Sequence, residues 1–109
     1  QNRREMSAEF VREQCCLNTK GEIPFGIAVE IREFREGSLV KVVADVWVKK
    51  ENHKKIVIGK DAQMLKKIGT AARKKIEKYV GQKVFLELQV VSNPQWDLKK
   101  SQMKAVGLK

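Results

Sequence analysis

The residues with most chemistry in this chain are Gly59-Lys60-Asp61-Ala62, set between the apolar Ile56-Val57-Ile58 and a basic helical pattern that starts at Gln63. The first turn of a helix carries unpaired backbone N–H groups and a partial positive charge, which favour a phosphate. Lys60 adds a full charge, and the small residues let a nucleic-acid backbone come close. Other chemistries lack their parts. GTP hydrolysis needs Gly-x-x-x-x-Gly-Lys-Ser/Thr, and Asp61 follows Gly59-Lys60 instead. A metal nuclease needs converging carboxylates, whereas Asp45, Asp61 and Asp97 are scattered without a motif. His53 is the only histidine, and Cys15 and Cys16 are adjacent, so a zinc site lacks its ligands.

The whole composition agrees with a polyanion partner. Lys and Arg number 23 against 13 Asp and Glu, a formal charge of +10, which attracts nucleic acid first and an anionic membrane surface second. The 109 residues allow one domain with one core, and 42% apolar content is ordinary for a globular protein. The vicinal cysteines cannot cross-link distant segments, and two free thiols fit a reducing, intracellular compartment. No signal peptide or membrane-length apolar run is visible. The chain starts at Gln1 without an initiator Met, so we expect a fragment of something longer.

The elements that must position the turn are legible from periodicity. Arg3–Leu17 reads as a helix with Met6, Phe10 and Leu17 as its inward stripe, interrupted by Gln14. Asn18-Thr19-Lys20-Gly21 and Pro24 end it. Ile27, Val29 and Ile31 share one face of a strand, and Gly37 turns the chain into the clearest strand, residues 39–48. There Val40, Val42, Ala44, Val46 and Val48 point one way. Residues 49–55 are polar and read as a connection in which His53 is solvated. Residues 56–58 are strand-like by β-branching but too short to settle. Gln63–Val80 is an amphipathic helix with Leu65, Ile68, Ala72, Ile76 and Val80 inward, closed by Gly81. Residues 84–90 make a third strand with Val84, Leu86, Leu88 and Val90 on the core face, and residues 96–106 look weakly helical. The outline predicts an α+β fold, a three-stranded sheet with helices on one face.

Ile56 to Gly69 resembles the core of a KH domain, whose Gly-x-x-Gly loop clamps single-stranded nucleotides. Gly21-Glu22-Ile23-Pro24 with the hairpin behind it, Gly69 to Ile76, and Val84 to Leu88 followed by Trp96 narrow the match. In this order, over nearly the whole chain, they resemble the C-terminal type II KH domain of the Era family of bacterial GTPases. The resemblance implies one KH domain over residues 1–109, with an N-terminal helix and a C-terminal tail, separated from a GTPase domain that would bind GTP and Mg. It implies binding of single-stranded small-subunit ribosomal RNA near its 3′ end, and a role in small-subunit assembly. It further implies a cytoplasmic protein with peripheral association at the inner membrane, and we expect a monomer. It turns residues 56–58 into a short helix. Nucleotide backbone would cross Gly59, Lys60, Asp61 and Ala62, with bases in a groove walled by Ile56, Ile58, Met64, Leu65 and the adjacent strand. Lys66 and Lys67 would neutralise phosphates at its rim, with Lys54 and Lys55 opposite.

Ala62 departs from the family's glycine. Ala suits the first turn of a helix, so if Ala62 is already helical its cost is one methyl group of crowding, and binding is weakened rather than lost. Asp61 repels the phosphate path modestly. Simpler readings stand beside these. A charge run is commonly a solvated face, although Glu77 is the only acid on residues 63–80. Met64 can serve packing as well as base contact, and Trp96 suits anchoring of the tail. The alternative role is a docking module, or an integral ribosomal component, with RNA contact secondary.

Overall fold

The computed structural model describes residues 2–93; the expected helix over residues 96–106, and Trp96 with it, lie outside the described residues. Asn2 caps the first helix, α1 (Arg3–Leu17), by accepting a hydrogen bond from the Glu5 N–H at 2.8 Å. The buried side of α1 is not the expected stripe. Ser7, Val11, Gln14 and Cys15 are buried, whereas Met6 and Phe10 are half-buried and Leu17 is 70% exposed. The smaller side chains bring the helix close to the core, and the Ser7 hydroxyl stays satisfied by donating to the Arg3 carbonyl at 2.8 Å. Phe10 instead meets Tyr79 edge to face, with ring centroids 5.8 Å apart. At the far end the Asn18 amide donates to the Gln14 carbonyl at 2.7 Å and the Thr19 hydroxyl to the Cys15 carbonyl at 2.9 Å. These side chains satisfy carbonyls that the last turn leaves open.

Strands β1 (Ala28–Arg35), β2 (Val40–Val48) and β3 (Val84–Ser92) form one sheet in the order β1-β2-β3. β1 and β2 are an antiparallel hairpin, and β2 and β3 run parallel. A parallel pair requires a crossover, here helices α2 (Glu51–Ile58) and α3 (Gln63–Val80). Register sets Val40 beside Val84, Val42 beside Leu86, Ala44 beside Leu88 and Val46 beside Val90. That shared face joins Val11 and Cys15 of α1, Val57 of α2, and Ile68, Ala72 and Ile76 of α3 in one core. The three-stranded α+β arrangement is the one expected from the sequence.

A register shift between Ile31 and Glu33 interrupts β1 at Arg32. Arg32 Nε lies 2.9 Å from Asp45 Oδ2, and its Nη2 donates to Gln89 Oε1 at 2.8 Å, so one side chain links all three strands.

Residues 51–55 belong to α2, not to an open connection, and His53 is not solvated. It is 4% exposed, with Nε2 3.2 Å from Glu22 Oε2. His53 and Val57, one helical turn apart, are the two buried residues of α2. Too few apolar positions mark this helix in the sequence; contacts from distant segments hold it. Lys50, then His53, hydrogen-bond Glu22 and hold its carboxyl below the usual range. Residues 56–58 are helical, as the family resemblance implied and β-branching did not.

Burial, ahead of the neighbouring Cys16 and against Arg12, pushes the Cys15 thiol up to about 12. An unfolded thiol ionises near ~8.5. Above that pH the unfolded chain releases a proton that the folded chain keeps, so this thiol lowers stability as pH rises. At about pH 8 an alkylating reagent should spare Cys15 in the native protein and label it in urea. Peptide mass spectrometry reads the outcome, and equal native and unfolded labelling rates would contradict the burial.

Candidate nucleic-acid interface

The last turn of α2 ends in the Gly59 N–H donating to the Lys55 carbonyl at 2.8 Å. Gly59 then takes φ 78° and ψ 173°, a conformation that glycine adopts readily and other residues avoid. Its neighbour adds a second requirement. A Cβ at position 59 would lie 2.7 Å from Met64 Cβ and 2.9 Å from Met64 N. Only a residue without a side chain fits. Met64 therefore acts as the surface against which the turn closes, and it is partly buried against the core beside Ile58 and Leu65.

Lys60–Ala62 forms a single tight turn closed by the Ala62 N–H donating to the Gly59 carbonyl at 3.2 Å. Inside it Asp61 has φ 53° and Ala62 φ 61°, both left-handed. The expectation that Ala62 could already be helical is therefore corrected. Ala62 stands one residue before α3 in the αL region, where its Cβ crowds the backbone. A tight turn and an immediate helix start leave no other conformation, so Ala62 carries strain that glycine would not. Among the described residues no side chain caps α3; the Gln63 N–H is taken by the Lys60 carbonyl, and the helix start lies beside the exposed Lys60.

A groove of about 280 Å³ runs from this turn between α3 and β3. Its helical wall is Ala62, Leu65, Lys66, Gly69, Thr70 and Arg73, and its other wall is Leu86 and Leu88. Of the predicted residues it brings together Ala62, Leu65 and Lys66. Gly59, Lys60 and Asp61 form the turn at its end. Ile58 and Met64 pack behind the turn, Ile56 is 47% exposed on α2, and Lys67 is exposed on α3 without lining the groove. Among the described residues, Lys60, Lys66 and Lys67 have no carboxylate partner. Gly69, Thr70 and Arg73 extend the groove beyond the predicted site. Their spacing from Lys66, by three, four and seven, places them on one face of α3, a signal present in the sequence.

Gly69 keeps the groove open: a Cβ there would rest 3.6 Å from Leu88 Cδ1, an ordinary contact, but a longer side chain would enter the space between the walls. At the far end Arg73 Nη1 lies 2.9 Å from Glu77 Oε2, the oxygen that also accepts the Val84 N–H at 2.9 Å. That backbone hydrogen bond, then Arg73, holds the Glu77 carboxyl below its ordinary range against the pull of burial.

A family profile for the KH domain matches residues 22–95. GTPase Era of Ruminiclostridium cellulolyticum is 42% identical over 106 residues, covering 95% of this chain and 36% of the relative. GTPase Era of Halothermothrix orenii is 40% identical, covering 94% of this chain and 35% of the relative. The chain thus spans about a third of the length of the curated relatives it matches. Among solved structures, Era in complex with MgGDPNP and nucleotides 1506–1542 of 16S ribosomal RNA superposes with TM-score 0.89 at 36% identity, over 99% of this chain and 37% of that one. Aquifex aeolicus Era bound to GDP and AlF4− gives TM-score 0.88 at 36% identity, over the same shares of the two chains.

Two substitutions test the turn by stability. Ala62→Gly relieves a left-handed alanine and should raise the unfolding free energy by up to about 1 kcal/mol, the strain released less the entropy glycine adds to the unfolded chain. Gly59→Ala meets Met64 and should cost more than about 1 kcal/mol. Urea midpoints read both, and a stabilising Gly59→Ala would contradict the geometry.

Proposed function

This chain belongs to the KH domain family, in the form carried by GTPase Era, and we propose that it binds single-stranded ribosomal RNA of the small subunit near its 3′ end, as the RNA-binding part of an Era-type GTPase that assists small-subunit assembly. The observation that carries the reading is the groove: among the described residues it begins at a helix start without a side-chain cap, flanked by lysines without carboxylate partners, and Leu65, Leu86 and Leu88 give it apolar lining. Phosphates lie over the start of α3 and beside Lys60, Lys66 and Lys67. Bases lie between Leu65 and the wall of Leu86 and Leu88. We assign Ile56 and the lysines of α2 to the side of the turn opposite α3, where the RNA strand would enter. The 16S ribosomal RNA fragment in the similar Era structure supports this choice of ligand.

Residues 1–109 act as one KH domain in this proposal, and as a monomer. The relatives are GTPases, but the residues present here do not fit GTP or Mg. Asp61 stands where a P-loop has Ser or Thr, and no His, Cys, Asp or Glu cluster able to hold a metal occurs among the described residues. We assign nucleotide hydrolysis to the part of the parent protein outside this chain. No helix among the described residues is long and apolar enough to cross a membrane. We further propose a cytoplasmic protein, as the family resemblance implies, whose +10 charge suits contact with an anionic inner-membrane surface.

A pyrimidine-rich 3′-end ribosomal RNA oligomer, titrated by fluorescence anisotropy at two salt concentrations, tests the binding. About three phosphate contacts predict a log K against log salt slope of roughly −2 for a single strand. Salt-independent affinity, or none tighter than about 0.1 mM, would overturn the proposal.

Gly69→Leu separates the groove from general charge. It improves helix propensity by up to about 1 kcal/mol, so the melting temperature should hold or rise while affinity drops at least about tenfold. Unchanged affinity would remove the groove as the base site.

A further inference from the structure

The far end of the groove holds an arginine whose geometry differs from that of the lysines. Arg73 stands eleven residues beyond Ala62 on α3, about 16 Å along the axis. Its side chain is 35% exposed and lines the groove opposite Leu86 and Leu88. Glu77 is no free surface acid: one oxygen takes the Val84 N–H and the Arg73 guanidinium together. The carboxylate is thereby fixed between the end of α3 and the start of β3, and it fixes the arginine in turn.

Two consequences follow from that arrangement. First, the guanidinium is a pre-set planar fork whose remaining N–H groups are open to a ligand. Second, its charge is already compensated by Glu77, so it is a poor point charge for a phosphate. The uncompensated lysines at the turn serve that purpose better. What a neutralised, oriented fork of donors recognises is a pair of adjacent acceptors.

We propose that Arg73, positioned by Glu77, reads a base at the far end of the groove and selects one with two adjacent acceptors. Guanine offers them at O6 and N7, and cytosine at O2 and N3. Adenine and uracil offer no such pair, because the N6 amino donor lies beside adenine N1 and N7 and the N3 N–H lies between the two uracil carbonyls, so both are disfavoured. Arg73 touches the base; Glu77 is a positioning residue that acts through it. The inference rests on the RNA-binding reading above.

The test uses single-stranded RNA oligomers in which each position in turn carries A, C, G or U, titrated against the full chain at two salt concentrations. For the unsubstituted chain, one position should favour G or C by roughly tenfold. Arg73→Lys keeps the charge but not the fork, and Arg73→Gln removes both. Each should flatten that preference, with the salt slope unchanged within about 0.3 for Arg73→Gln, less than one phosphate contact contributes. Glu77→Gln keeps an acceptor for the Val84 N–H and should weaken the preference while circular dichroism stays native. A uniform loss across all sequences, with the slope smaller by about 0.7, would make Arg73 a phosphate contact and overturn the proposal. Base preference that survives in the folded Arg73→Lys and Arg73→Gln variants would overturn it as well. Salt-dependent binding without any G or C preference would defeat this inference alone, whereas no binding at all would defeat the RNA reading and this inference with it.

Discussion

Between Ile58 and Gln63 the chain must leave one helix and enter another within a single tight turn, and Met64 stands in the way. The backbone at position 59 passes so near Met64 that a methyl group would overlap it, with φ in the range that glycine favours. Within the same turn Asp61 and Ala62 take left-handed conformations in succession. The turn also starts α3 without a side-chain cap. The strain at Ala62 and the start of the basic helix belong to this one crowded turn. Strain of this kind persists only where surrounding structure over-determines it, and here helices packed on a common core hold both ends.

The groove depends on that core through register. β2 is central and β3 runs parallel to it, so Leu86 and Leu88 sit beside Val42 and Ala44 and share their face. The β2 residues are fully buried, while Leu86 and Leu88 remain partly open at the edge of the sheet. α3 lies over this face, with Ile68, Ala72 and Ile76 pinned in the core. Gly69 then leaves a gap between helix and edge strand. A leucine-lined slot with the Gly59-Lys60 turn at one end and a clamped arginine toward the other is the outcome. In the proposed function, charge holds an RNA strand's backbone and the slot takes its bases.

How much of this was legible in the sequence varies with the range of the deciding contact. The valine face of β2, the inward stripe of α3 and the Gly81 stop follow from local periodicity and turn chemistry, and the folded chain carries them as expected except that Leu65 is only partly buried and lines the groove. The first helix was found with its ends, but its buried side is rotated by one residue to Ser7, Val11 and Cys15. Bulk suggested Met6 and Phe10; close packing admitted the smaller set. α2 was hidden because its two buried residues include a histidine, which no hydrophobic pattern counts, held by Glu22 some thirty positions earlier.

By itself the amino-acid order determined the α+β class, the strand and helix faces, the basic character and the position of the Gly59-Lys60 turn. Each is written in spacings of two to four residues or in total charge, and short-range physics suffices to read it. Folding decided the rest: the helicity of residues 51–58, the left-handed Ala62, the depth of the groove at Gly69 and the fastening of Arg73 through Glu77 to Val84. Those features arise where one segment meets another across the core, and a close approach between them exists only once both are in place.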